Sequence, residues 1–181
     1  MLDTEKVKPY TLQPDDKVTV VMSYTLNSVA WGEVVTKQAI RVGTWLRTQY
    51  APQYMTLFDA KLILTGGTLH TPYSFRELHV PSSQIVAFHL VPPAVEALDY
   101  DHNEPMRKME PTTALVGSFR LDGCIRMSTQ TTLDRYLDVT KETFTPVYEV
   151  DITQPTVPGM RPLHVPYVLV RRDMVIFSTR E

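Results

Sequence analysis

Five histidines, one cysteine and one carboxylate-rich hexapeptide are the residues of this sequence with the most chemistry to offer. His70, His79, His89, His102 and His164 share no metal-ligand spacing, and a single cysteine rules out the four-cysteine and Cys-His zinc patterns. Cys124 would need a histidine partner and a lowered pKa to act as a nucleophile. It follows a turn at the head of a strand and reads instead as a small buried apolar residue. "DYDHNE", Asp99 to Glu104, gathers carboxylates but lacks the glycine turn and terminal glutamate of a calcium loop, and reads as solvated linker. "LTGGTLH" has two glycines and no lysine, so it is a hairpin tip rather than a phosphate cradle. No catalytic set emerges. The expectation is a protein that is not an enzyme, with no cofactor and no bound metal.

Composition narrows the remaining classes. Lys and Arg number 18 against 20 Asp and Glu, a net charge of −2, whereas a nucleic-acid binder shows a basic excess or stripe. The densest basic cluster is Arg171-Arg172, which a solvated turn explains. The first residues lack the apolar core of a signal peptide, and no run reaches the ~18 apolar residues of a membrane span. One unpaired cysteine suits a reducing compartment. A cytoplasmic location, away from membranes, follows as the expectation. Fourteen prolines against seven glycines, with nine tyrosines, point to β structure rich in turns and edges.

The elements that would position any site are written twice. "GEVVTKQAIRVGTWL" from Gly32 and "GCIRMSTQTTLDRYL" from Gly123 align at an offset of 91. There Val34 meets Ile125, Val42 meets Leu133, Trp45 meets Tyr136 and Leu46 meets Leu137. "YMTLFDAKLIL" (Tyr54 to Leu64) and "FTPVYEVDIT" (Phe144 to Thr153) align at 90, and "QIVAF" with "DMVIF" at 89. The order of elements is kept and only two residues are lost. The repeated "LHVP" at Leu78 and Leu163 falls outside this scheme and is treated as coincidence. Each copy reads as a strand, a turn, a second strand, a short helix, a strand pair around a proline-bearing loop, and a last apolar strand.

Within that plan, Val18, Val20, Met22, Tyr24 and Leu26 alternate as the inner face of a half-buried strand. Asn27-Ser28 and Asp122-Gly123 supply turns. Thr131 to Asp134 offers a capping box, and Gly43 weakens the first helix. Tyr54, Phe58, Phe144 and Tyr148 alternate as a core-facing stripe, which leaves them poorly placed to stack bases. Residues 92–111 change character and are expected to be a linker, with one helical turn at Ala94 to Leu98. The expected organisation is an N-terminal extension 1–16, a first repeat 17–91, that linker, and a second repeat 112–181.

"YMTLFDA" resembles the first motif of the Sm-like family, and "HVPSSQIVAF" and "VLVRRDMVIF" are similar to its second. The short helix before the "L-x-D-A" strand is similar to bacterial Sm-like repeats of uncharacterised role. The resemblance implies a mainly β chain of two small Sm-like or SH3-like β-barrels, each of about five strands with one short helix. It does not carry an RNA pocket across. The base-reading Asn of the family is Thr56 in one copy and Pro146 in the other, and the Arg-Gly positions hold Pro81-Ser82 and Val170-Arg171.

What the family resemblance implies for function is association through edge strands, giving a homo-oligomer (ring or filament) or a protein partner. The candidate edges are Gln84, Ile85, Val86 and Phe88 in one repeat, Asp173, Met174, Val175 and Phe177 in the other, and the strand beginning at Phe144. Pro81 and Pro166 would blunt such edges. Two other readings stay open: an Sm-type RNA or DNA module, disfavoured by charge, and a small-ligand sensor using the cleft between repeats.

Overall fold

The computed structural model describes residues 8–66, 71–155 and 161–180. The first half of the chain supplies β1 (Asp16–Tyr24), β2 (Ser28–Lys37), β3 (Tyr54–Leu64), β4 (Tyr73–Pro81) and β5 (Ala87–Leu90). The second supplies β6 (Arg107–Val116), β7 (Phe119–Ser128), β8 (Phe144–Thr153), β9 (Leu163–Arg171) and β10 (Ile176–Thr179). All ten join one antiparallel sheet in the order β10-β6-β7-β8-β9-β5-β1-β2-β3-β4. The expectation of two separate barrels is therefore corrected to a single mainly β sheet, not closed into barrels. The cause is local: β5 pairs with β1 on one side and β9 on the other, so the ladder runs on into the second half.

The helices differ too. One α-helix, α1 (Leu133–Val139), is present among the described residues, and its counterpart Val42–Arg47 is a 3-10 turn. Gly43 sits inside that turn, where its helix propensity is poor. Thr132, not Thr131, occupies the N-cap of α1, and its side chain makes no capping bond to the helix backbone. Ala94 to Leu98 is not helical, and β6 already begins at Arg107.

Both halves repeat one geometry. Each has the strand order last-first-second-third-fourth along the sheet. β2 shifts register between Trp31 and Glu33, and β7 shifts between Asp122 and Cys124. Asp122-Gly123 is thus strand interior, opposite a bulge at Glu149 of β8, and not a turn. Asp59 (φ 45°) and Glu149 (φ 49°) break the alternation of β3 and β8 at matching places. After that break the buried residues of β3 change parity, from Met55 and Leu57 to Ala60.

Burial separates the copies where their sequences look alike. β8 lies inside the sheet, and Phe144, Thr145, Pro146, Val147 and Tyr148 are all buried. In β3 only alternate residues are buried, and Tyr54 is 56% exposed against 4% for Phe144. Tyr54 is therefore not core-facing as its spacing suggests. Phe58 is covered from outside by the Tyr10 ring, 5.0 Å away, while Lys8 pairs with Glu33 at 2.6 Å. In β1, Val18 and Val20 face an open groove beside Val91 to Glu96, and Val21 is the buried neighbour.

The two glycines opposite the bulges are there because neighbouring strands press on them. A Cβ on Gly32 would lie 2.8 Å from the Phe58 carbonyl oxygen, and one on Gly123 would lie 2.7 Å from that of Tyr148. Gly32→Ala and Gly123→Ala are each expected to cost about 1–3 kcal/mol through overpacking, read as a lowered urea midpoint with an unchanged slope.

Candidate functional site

No group of three His, Cys, Asp or Glu able to hold a metal occurs among the described residues. His70 lies outside them, as does most of the glycine loop at 67–70. His79 is exposed on β4 with Nδ1 3.0 Å from the Thr56 hydroxyl, and His164 is exposed on β9 beside Asp151. Cys124 is half-buried and free, and burial pushes its thiol pKa up, which works against nucleophilic use.

His89 is fully buried in β5. Its Nδ1 lies 2.7 Å from the Leu90 carbonyl, which can only accept, so Nδ1 carries the proton. Nε2 then accepts from the Tyr24 hydroxyl at 3.1 Å. Burial lowers the His89 pKa to about 4, so the ring is neutral at pH 7. The pair is a satisfied buried contact.

Asp99 is not solvated linker. Its carboxylate accepts from the Arg47 guanidinium at 2.8 Å and from the Tyr148 hydroxyl at 2.6 Å, joining the first half to the second. Arg47 also reaches Glu142 at 2.7 Å. Three residues earlier, both Glu96 oxygens accept the backbone N–H groups of Val42 and Gly43 at 2.8 Å, holding the 3-10 turn. Burial, then the bond to Asp99, pushes the Tyr148 hydroxyl far above its usual range. Arg171 and Arg172 are likewise engaged rather than solvated, donating to backbone carbonyls of Ser83 and Glu142.

An apolar pocket of about 300 Å³ opens between the halves, walled by Met22, Tyr24, Trp31, Ile63, Phe119 and Ile152 with Gln154 at its rim.

The ends of the sheet offer unpaired backbone. Among the described residues, β4 pairs only with β3, and β10 only with β6. Of the expected edge residues, Phe177 lies in β10, Val175 precedes it, and Asp173 and Met174 lie in the 3-10 turn before that. Ile85, Val86 and Phe88 are buried where β5 meets β9, with Gln84 just before them, so that segment is an internal junction and not a free edge. β8 is interior as well. β4 was expected as a strand but not among the edges; its polar residues Ser74, Arg76, Glu77 and His79 were the available signal of an uncovered strand.

The internal junction carries the geometry of an edge contact. Ala87 opposes Val170 and Phe88 opposes Leu169. The Arg171 backbone N–H donates to the Val86 carbonyl at 2.8 Å. Leu169 and Phe144 enter the core of the first half, while Val86 and Ala87 enter that of the second. No helix among the described residues is long and apolar enough to cross a membrane. Comparison with known proteins finds no matching family model, no matching curated protein and no matching solved structure.

Two outcomes follow. Because the unfolded chain protonates His89 near pH 6.5 and the folded chain only near 4, stability is expected to fall as the pH is lowered through that window, by up to about 3 kcal/mol. Urea melts at several pH values should show this slope, and His89→Gln should flatten it. Asp99→Asn strips Arg47 of one buried charge partner and is expected to cost about 2 kcal/mol, with a double-mutant cycle against Arg47→Gln recovering part of the loss.

Proposed function

We propose that this chain is a non-catalytic assembly module that works by pairing its free sheet edges with those of other copies. The observation that carries the reading is the sheet order: β10 and β4, the two free strands, occupy the same places in their halves as β5 and β9, which pair inside the chain. Each copy thus offers one edge of either kind. Head-to-tail joining closes a ring when the rotation permits and otherwise runs on as a filament.

The likeness of Tyr54 to Ala60 to the Sm-like first motif supports the reading, since Sm-like units associate through edge strands. Its acidic balance and the replaced Asn and Arg-Gly positions favour protein over nucleic acid as partner. One free thiol suits the cytoplasm. The second reading, a sensor of a small uncharged ligand, rests on the apolar pocket between the halves; a thermal shift across a metabolite panel tests it.

The deciding experiment is the native mass by light scattering with absorbance at 260 and 280 nm. A whole-number multiple of 20.7 kDa without excess absorbance at 260 nm is the expected result. A monomer at every concentration would overturn the proposal, and excess mass with high 260 nm absorbance would point to bound nucleic acid instead.

A further inference from the structure

We infer that a second copy of this chain docks β10 against β4 in the register of the internal junction, with Ile176 opposite Val80 and Phe177 opposite His79. This rests on the assembly reading and specifies its contact. The correspondence comes from the ladders. β3 and β8 meet their partners at Tyr54 with Pro81 and at Phe144 with Arg171, so Val80 and His79 stand where Val170 and Leu169 do. β1 and β6 meet theirs at Tyr24 with Ala87 and at Leu115 with Ile176, so Ile176 and Phe177 stand where Ala87 and Phe88 do.

Three of the exposed apolar residues, Ile176, Leu115 and Tyr54, are ones that this docking would cover. Ile176 is 67% exposed, where Ala87 is wholly buried, and Leu115 beside it is exposed where Tyr24 is buried. Tyr54 is exposed where Phe144 is buried. In the internal junction Phe144 packs into the core of the half that supplies β5, with Leu46, Ile85 and Phe88. The matching residues of the second half, Leu137, Met174 and Phe177, are only partly buried, and the Tyr54 ring of the next copy would cover them as Phe144 covers their counterparts. One end of the molecule thus lacks the aromatic side chain that the other end holds out.

The contact between copies is weaker than the one inside the chain, and three residues say why. Pro81 stands at the Arg171 position and has no N–H for the Val175 carbonyl, where Arg171 bonds that of Val86. It also lacks the guanidinium that reaches the Ser82 and Ser83 carbonyls. His79 replaces the buried Leu169. Assembly is therefore reversible and concentration-dependent, and Pro81 sets its strength. The backbone at Pro81 (φ −58°, ψ 124°) is close to that at Arg171 (φ −77°, ψ 113°), so an alanine fits there without strain.

Because Arg171 and Val86 form a hydrogen-bonded pair, Ala87 and Val170 are a close non-hydrogen-bonded pair, and so are Ile176 and Val80 in the docked copies. The test mixes two chains that both carry Cys124→Ser, one with Ile176→Cys and the other with Val80→Cys, under mild oxidation. A disulfide-linked pair is expected for this mixture and not when Leu78→Cys, one pleat away, replaces Val80→Cys. Alongside, Pro81→Ala in the otherwise natural chain should tighten association about fivefold by light scattering, through the restored N–H. Tyr54→Ser, at an exposed site that leaves folding intact, should weaken it about tenfold or more. Assembly that persists with linkage through Leu78→Cys, or with no response to Pro81→Ala, would overturn this register and leave edge pairing standing. A chain that stays monomeric at every concentration would overturn both.

Discussion

The short ladder between β5 and β9 decides the rest of this structure. It forms only two residue pairs, yet it takes up the β5 edge of the first half and the β9 edge of the second. With the first half joined through β5, β8 is covered on both sides and buries residues at consecutive positions. β3 has β4 beside it but no second half packed against it, so it keeps one buried and one more exposed side, and Tyr54 stays in water. The cores interlock across the same line, since each half contributes side chains to the cluster centred in the other. A linker held by Asp99 and Glu96 then fixes the approach, with charged groups satisfied on both sides.

Much of this was legible in the chain, and what escaped has a physical pattern. Period-two runs announced the strands, and the offsets of 91, 90 and 89 reappear in the ladder registers. Spacing alone could not say which way a stripe faces. Val18 and Val20 look inward by alternation, but β1 meets β5 only from Val21 onward, so the first part of the strand faces a groove. Gly123 mimicked a turn because glycine serves opposite a bulge as well as in a hairpin, and the deciding contact, the Tyr148 carbonyl, is distant in sequence. Closure into barrels failed as an expectation for the same reason. Which partner claims the second side of β5 depends on long-range pairing that no local pattern encodes.

The candidate site was partly visible. Ile176 and Phe177 lie in a segment expected to be an edge, and they do end the sheet, whereas Ala87 and Phe88, in a segment of similar pattern, are paired on both sides. The difference lies in position along the chain and not in the residues. Asp99 teaches the converse. A carboxylate in a proline-broken, highly charged stretch reads as solvent-facing, yet it binds Arg47 and Tyr148, residues 52 and 49 positions away. Polar residues in an irregular segment are read by composition, and composition does not report a partner.

The interlocked cores also bear on how the chain is made. During synthesis the first half emerges complete, with Ala87, Phe88 and the whole outer side of β5 facing solvent until β9 follows about 80 residues later. At ordinary elongation rates that interval lasts several seconds or more, long compared with hairpin formation. The nascent first half is thus the most sticky species this sequence ever presents, and its own second half is the partner that must reach it before another ribosome's product does. A duplicated plan raises that hazard, because the two halves of neighbouring chains can exchange places at the same junction.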